Sequence, residues 1–271
     1  MMKKLMLATL TLITAFTVQS SACAQADERF YFPSRVMAKV EGLNYDNLSF
    51  KVGDDEVTGI WIKPQQAAKA TIIYFHGAGG NVSHYVKFIR PLVEDGFQVA
   101  MIDFRGYGLS TGKPTHLNIA SDGQLVFEQL LQKPELKGKK LILIGASMGS
   151  QIATHLAKTN AGKIDALVLD GGLSSFTDIA VANVPKEMQE SVRASLISPY
   201  SAKEDIKEIG KAKLLVVHSV GDTSIPISQG KLVYANATAT KTFWEYEGEH
   251  LAAPVKYPAV WVSKVNALLT D

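Results

Sequence analysis

A chain of 271 residues, 46% hydrophobic and 20% charged, has the composition of a globular protein with room for one large domain or two small ones. Its single cysteine, Cys23, excludes an intrachain disulfide framework and a thiolate metal site. Of the 28 basic residues, Lys3 and Lys4 fall in a leader; the remaining 26 equal the 26 acidic ones, so the rest of the chain offers no electrostatic footprint for nucleic acid.

The chain opens with a basic pair, an apolar run over 5–18 and the small residues Ala22-Cys23-Ala24, which satisfy the A-x-A cleavage pattern. The expectation is a signal peptide over 1–24, cleavage before Gln25, and a periplasmic or secreted bacterial protein. The apolar run is too short to span a bilayer comfortably, so no membrane span is expected. The competing outcome is a lipoprotein anchored at Cys23, although Ser20 stands where such a signal usually carries leucine.

Residues 25–45 read as an irregular lead-in, with Phe30-Tyr31-Phe32-Pro33 packing against the domain edge. Alternating residues at 48–52 and 57–62 predict two antiparallel strands joined through Gly53-Asp54-Asp55. The β-branched and aromatic run 70–75 predicts a strand buried on both faces. Helix 82–94, strand 98–104, helix 119–132 and strand 141–146 with its helix follow. Strands at 166–169 and 213–218, helix 228–234, strand 241–246 and helix 258–269 complete the series. Such alternation predicts an α/β fold, a mostly parallel sheet with helices on both faces. The long connection before residue 213 holds helical spacing at 176–182 and 186–196. It predicts a small helical cap, inserted over 173–210 into a single domain spanning 25–271.

Gly145-Ala146-Ser147-Met148-Gly149 fits G-x-S-x-G, between the aliphatic run 141–144 and the helical pattern 151–157. In such an elbow the turn is so sharp that bulky residues two positions either side of the serine would clash, which is why glycines stand there. Ser147 is therefore the candidate nucleophile. An oxyanion hole needs two backbone N–H groups converging on one oxygen. Met148, at the new helix's N-terminus, and Ala78, in His76-Gly77-Ala78-Gly79-Gly80-Asn81, are the natural pair. That glycine-rich loop lacks both the Lys-[Ser/Thr] of a P-loop and dinucleotide spacing. His76 is expected to buttress it and His84 to face solvent.

A serine nucleophile needs a base, and the base an orienting carboxylate. His250, in Gly248-Glu249-His250-Leu251, and Asp222, in Gly221-Asp222-Thr223-Ser224-Ile225-Pro226, each follow a predicted strand. Asp170 follows the strand before and is the competing carboxylate; Asp222 is preferred. An Asp103–Arg105 network is expected to hold the neighbouring loop. His116, His155 and His218 show no metal-ligand spacing, so neither metal nor cofactor is expected.

The order Ser147…Asp222…His250, His76-Gly77, and Asp103-Phe104-Arg105-Gly106-Tyr107-Gly108 together resemble the α/β-hydrolase superfamily, and are most similar to the Bem46-like serine hydrolases. Members of that family usually carry Asn where this chain has Ala78, a change that keeps the backbone donor. The resemblance spans roughly residues 45–270. It implies cofactor-free hydrolysis of an ester, thioester or amide on a small-molecule acyl substrate. The expected activity is carboxylesterase-type; the alternatives are a peptidase or aminopeptidase on the same fold, and a non-catalytic binding protein that kept the scaffold.

Overall fold

The computed structural model describes residues 28–270, so the expectations for the leader and for Cys23 lie outside the described residues. In chain order the strands are β1 (Phe32–Pro33), β2 (Asn44–Val52), β3 (Asp55–Lys63), β4 (Ala70–Phe75), β5 (Gly79–Gly80), β6 (Phe97–Ile102), β7 (Lys140–Ala146), β8 (Ala166–Asp170), β9 (Lys213–Ser219) and β10 (Lys241–Tyr246). The α-helices are α1 (Val82–Glu94), α2 (His116–Leu131), α3 (Gly149–Thr159), α4 (Phe176–Ala182), α5 (Gln189–Ser195), α6 (Ala202–Asp205), α7 (Ile227–Asn236), α8 (Ala253–Lys256) and α9 (Pro258–Ala267).

Eight strands form one sheet in the order β10-β9-β8-β7-β4-β6-β3-β2. The β2–β3 and β3–β6 pairs are antiparallel, and all the others are parallel. Alternate residues of each central strand serve opposite faces. Ile73, Phe75, Leu143 and Leu167 pack with Phe127 of α2 and with Ile152 and Leu156 of α3. Ile72, Tyr74, Ile142 and Ile144 pack with Ile89 of α1 and Trp261 of α9 on the other side. Burial on both faces explains why these strands read as unbroken apolar runs.

The helices start where local chemistry supplies a cap. Asn81 accepts from the Ser83 amide at 3.0 Å ahead of α1. Thr115 and Asn118 form a capping box ahead of α2. Each satisfies an amide that the first turn would otherwise orphan.

Two readings need correction. The lead-in is not purely irregular: β1 pairs in parallel with β5, Phe32 opposite Gly79 and Pro33 opposite Gly80. The Asp103–Arg105 network does not form. Arg105 turns away to Asp122, at 2.6 and 2.7 Å, and to Asp55 at 2.7 Å, while Asp103 accepts from the Val82 amide at 2.9 Å. The chain after β6 places Asp103 against the start of α1, and Arg105 against Asp122 of α2 and Asp55 of β3.

Among the described residues, no helix is long and apolar enough to cross a membrane. Between β8 and β9, α4 and α5 lie over the carboxyl ends of the strands, where open α/β sheets place their ligands.

Candidate active site

Ser147 stands between β7 and α3 with φ 52°, a left-handed conformation that a side chain adopts only at a cost. Only one other described non-glycine residue has positive φ, Leu251 (φ 59°), which directly follows His250. The flanking glycines are required by contact. A Cβ on Gly145 would lie 2.5 Å from Ser150 Cα, and one on Gly149 would lie 2.1 Å from the Phe75 carbonyl oxygen. Gly149→Ala must therefore push two backbones apart. It is expected to cost about 3 kcal/mol or more, read as a lowered urea midpoint; a midpoint equal to wild type would refute the packing argument.

Ser147 is half-buried, and its amide donates to the Asp170 carbonyl at 2.8 Å. Met148 begins the helical turn, with αR backbone angles and no side-chain cap. Among the described residues, neither the Met148 nor the Ala78 amide donates to another group. Both belong to residues lining the pocket that contains Ser147. Two free donors beside a helix N-terminus form a place where negative charge is stabilised.

His250 donates from Nδ1 to Asp222 Oδ2 at 2.6 Å, and the Asp222 carboxylate is fully buried. The other Asp222 oxygen accepts from the amides of Ser224 and Ile225 at 2.9 and 2.8 Å. Burial by itself would raise the Asp222 carboxyl. The His250 bond and these two amides outweigh burial and hold it below its ordinary value. The site thus contains a fixed carboxylate with an imidazole oriented by it. A Cβ on Gly171, the residue after Asp170, would fall 2.8 Å from His250 Cε1. His250 is therefore packed on the residue next to the carbonyl that holds the Ser147 amide.

Asp170, the competing carboxylate, is buried, and its Oδ1 has no hydrogen-bond partner. Burial first, and the nearby Asp222 charge, push its carboxyl up to about 7, against the pull of His250. In the unfolded chain the same group ionises near 3.8. Between those values the folded state holds a proton that the unfolded state has lost, so stability falls as pH rises through the window and is flat above it. Asp170→Asn removes this slope. Its stability relative to wild type is expected to increase by on the order of 3 kcal/mol between about pH 4 and about pH 8. Urea denaturation at the two pH values measures the difference, and parallel pH dependence in both proteins would refute it.

His76 is buried, as a buttress should be. Its Nδ1 donates to the Gly77 carbonyl at 2.7 Å, orienting the peptide that carries the Ala78 amide. His84 is exposed. Three residues contribute to the site in roles the sequence reading does not assign them. His218, buried four residues before Asp222, bonds the Ile225 carbonyl at 2.9 Å through Nε2 and stands 3.5 Å from Asp222. Burial lowers its pKa, so it braces the loop as a neutral ring. Tyr107 donates its hydroxyl to the Ala78 carbonyl at 2.6 Å. Phe32 lines the pocket. The four-residue spacing of His218 and Asp222 behind a strand was a readable signal; the other two had none.

The fold agrees with the comparisons to known proteins. The model of the serine aminopeptidase S33 family matches residues 66–196. The chain is 27% identical over 234 residues to the uncharacterized protein YfhR of Escherichia coli, covering 83% of this chain and 80% of that one. It is 26% identical over 208 residues to protein bem46 of Schizosaccharomyces pombe, covering 73% and 68%. This chain is an α/β-hydrolase similar to the Bem46-like proteins. The esterase Pf2001 of Pyrococcus furiosus shares the fold of this hydrolase at a TM-score of 0.71 and 21% identity, covering 89% of this chain and 97% of that one.

Above Ser147 the hydrolase has a pocket of about 380 Å³. Ala78 and Met148 line it beside the serine, and its walls include Phe30, Phe32, Phe176, Ile179 and Leu196. Among the described residues Arg29 is the one charged residue lining it, and it is exposed.

Proposed function

We propose that the protein is a serine hydrolase that cleaves a carboxylic ester, or a related acyl bond, through Ser147, His250 and Asp222. The reading is carried by the 2.6 Å His250–Asp222 hydrogen bond beside a serine held at φ 52°. With Nδ1–H committed to Asp222, the lone pair of His250 Nε2 is free to take the Ser147 proton. Ser147 Oγ attacks the carbonyl carbon, and the Ala78 and Met148 amides receive the oxyanion. Collapse expels the alcohol, which leaves with the proton from His250. Water, deprotonated by the same nitrogen, then releases the acid from the acyl-enzyme.

The name of the matched family raises the aminopeptidase reading, but among the described residues no Asp or Glu lines the pocket to receive a substrate's ammonium group. A mostly apolar described lining with an exposed arginine favours an ester, and Pf2001, a protein of the same fold, bears the name esterase.

The test is intact-mass analysis after fluorophosphonate treatment, followed by p-nitrophenyl esters and aminoacyl amides in parallel. One adduct, mapped to Ser147, with turnover of esters and not of amides, is expected. No adduct on folded protein would replace this reading with a non-catalytic binding role. The same spectrum tests the leader: a chain starting at Gln25 fits the signal peptide and a periplasmic or secreted location, and a lipid-bearing Cys23 fits the lipoprotein.

A further inference from the structure

The lead-in preceding the main sheet lies outside the segment matched by the family model, yet it is bound to the active site. Phe32 N–H donates to the Ala78 carbonyl at 2.9 Å, and Ser34 N–H donates to the Gly80 carbonyl at 2.8 Å. Asn81 returns two bonds, from Nδ2 to the Ser34 and Val36 carbonyls at 3.0 and 2.9 Å. The buried Tyr107 hydroxyl closes the seam, accepting from Phe32 N–H at 3.1 Å while donating to Ala78. Residues 32–36 are thus strapped along the loop that presents the Ala78 amide.

The strap's side chains do something different from its backbone. Phe32 is 63% exposed while lining the Ser147 pocket, a large apolar ring left open to water at the mouth. Phe30 stands behind it, edge-on to Phe176 at 5.3 Å and to His116 at 5.0 Å. Phe176 in turn stacks on His116 at 3.7 Å, so the strap wall and α4 are locked together. Polar groups in the pocket are turned inward on their own helices. Asn183 Nδ2 donates to the Ile179 carbonyl and Ser195 Oγ to the Ser191 carbonyl, each at 2.8 Å. Apart from these two, Ser147 and Arg29, the described lining is apolar, so a peptide or sugar acyl group would leave most of its polar atoms unpaired there, which is costly. A pocket of about 380 Å³ is near the small end of ligand sites. It suits one unbranched chain better than a diacyl lipid.

We propose that Phe30 and Phe32 form the acyl-selecting wall of the active site, and that the substrate carries one apolar acyl chain of medium length. This rests on the serine hydrolase reading of Ser147. The chain covers the exposed Phe32 ring, removing from water both its own surface and the ring's.

The experiment is a series of p-nitrophenyl esters from acetate to dodecanoate, run on wild type, Phe32→Ala, Phe32→Leu and Phe30→Ala. In wild type, kcat/KM should rise with each added methylene, by up to about fourfold per group from the transfer free energy, and level off once the pocket is full. Phe32→Ala should lower the octanoate-to-acetate ratio about tenfold, the equivalent of about 1.4 kcal/mol of chain binding. Phe30→Ala should lower it too, and Phe32→Leu should restore most of it. The ratio is independent of the active fraction, so partial misfolding does not mask the result. A wild type that turns over esters without chain-length preference overturns the proposal, as does a Phe32→Ala ratio equal to wild type. A wild type that neither turns over esters nor takes the phosphonate fails the underlying reading, and this proposal with it.

Discussion

Ser147→Ala is expected to lower ester turnover by about six orders of magnitude, to the level of the residual site without its nucleophile. The substitution removes one oxygen atom from a half-buried position and leaves the backbone at φ 52° with the same strain that serine carries. Both elbow glycines remain, as does the Ser147 amide bond to the Asp170 carbonyl. Circular dichroism and thermal midpoint should therefore match wild type while the p-nitrophenyl ester rate and the phosphonate adduct disappear. A variant that keeps appreciable turnover would remove Ser147 from the mechanism.

Asp222→Asn should cost about 10⁴-fold in kcat, and the local bonding shows why. One carboxylate oxygen accepts the Ser224 and Ile225 amides, so an asparagine must place its carbonyl oxygen there. Its NH2 group then faces His250 Nδ1 and donates to it. The imidazole is forced into the tautomer with its proton on Nε2, where it cannot accept from Ser147. Asp170→Asn provides the comparison. Asp170 makes no hydrogen bond through Oδ1 and sits largely protonated below about pH 7, so its amide variant should retain turnover. Paired pH–rate profiles of the two variants measure this. If Asp170→Asn lost activity and Asp222→Asn kept it, the acid would have to be reassigned.

That contrast also marks the limit of reading residues in order. Asp170 and Asp222 both follow parallel strands of one sheet, and either could be proposed from spacing. The choice lies in burial and partners. One carboxyl is ringed by two amides and an imidazole; the other is enclosed with an unpaired oxygen. The burial of Asp170 and the long-range His250 bond of Asp222 leave no trace in the neighbouring sequence.

The local patterns determined far more of the fold. The span 82–94 is a helix to the residue, and 241–246 is a strand to the residue, because capping chemistry and apolar period are properties of a short segment. The elbow was legible for the same reason, since clashes at Gly145 and Gly149 arise within one strand–turn–helix. What only the tertiary structure decided was carried by backbone groups or by long-range pairing. Arg105 found Asp122 and Asp55 rather than the nearby Asp103 because the fold brings α2 and β3 to its guanidinium, while Asp103 binds the start of α1. The Phe32 amide met the Ala78 carbonyl across 46 residues of chain, in a bond that any residue but proline could make. Side-chain periodicity reports which face of a segment is buried. It contains no term for which distant carbonyl that segment's amides will reach, and in this protein that unwritten pairing brings the lead-in to the nucleophile.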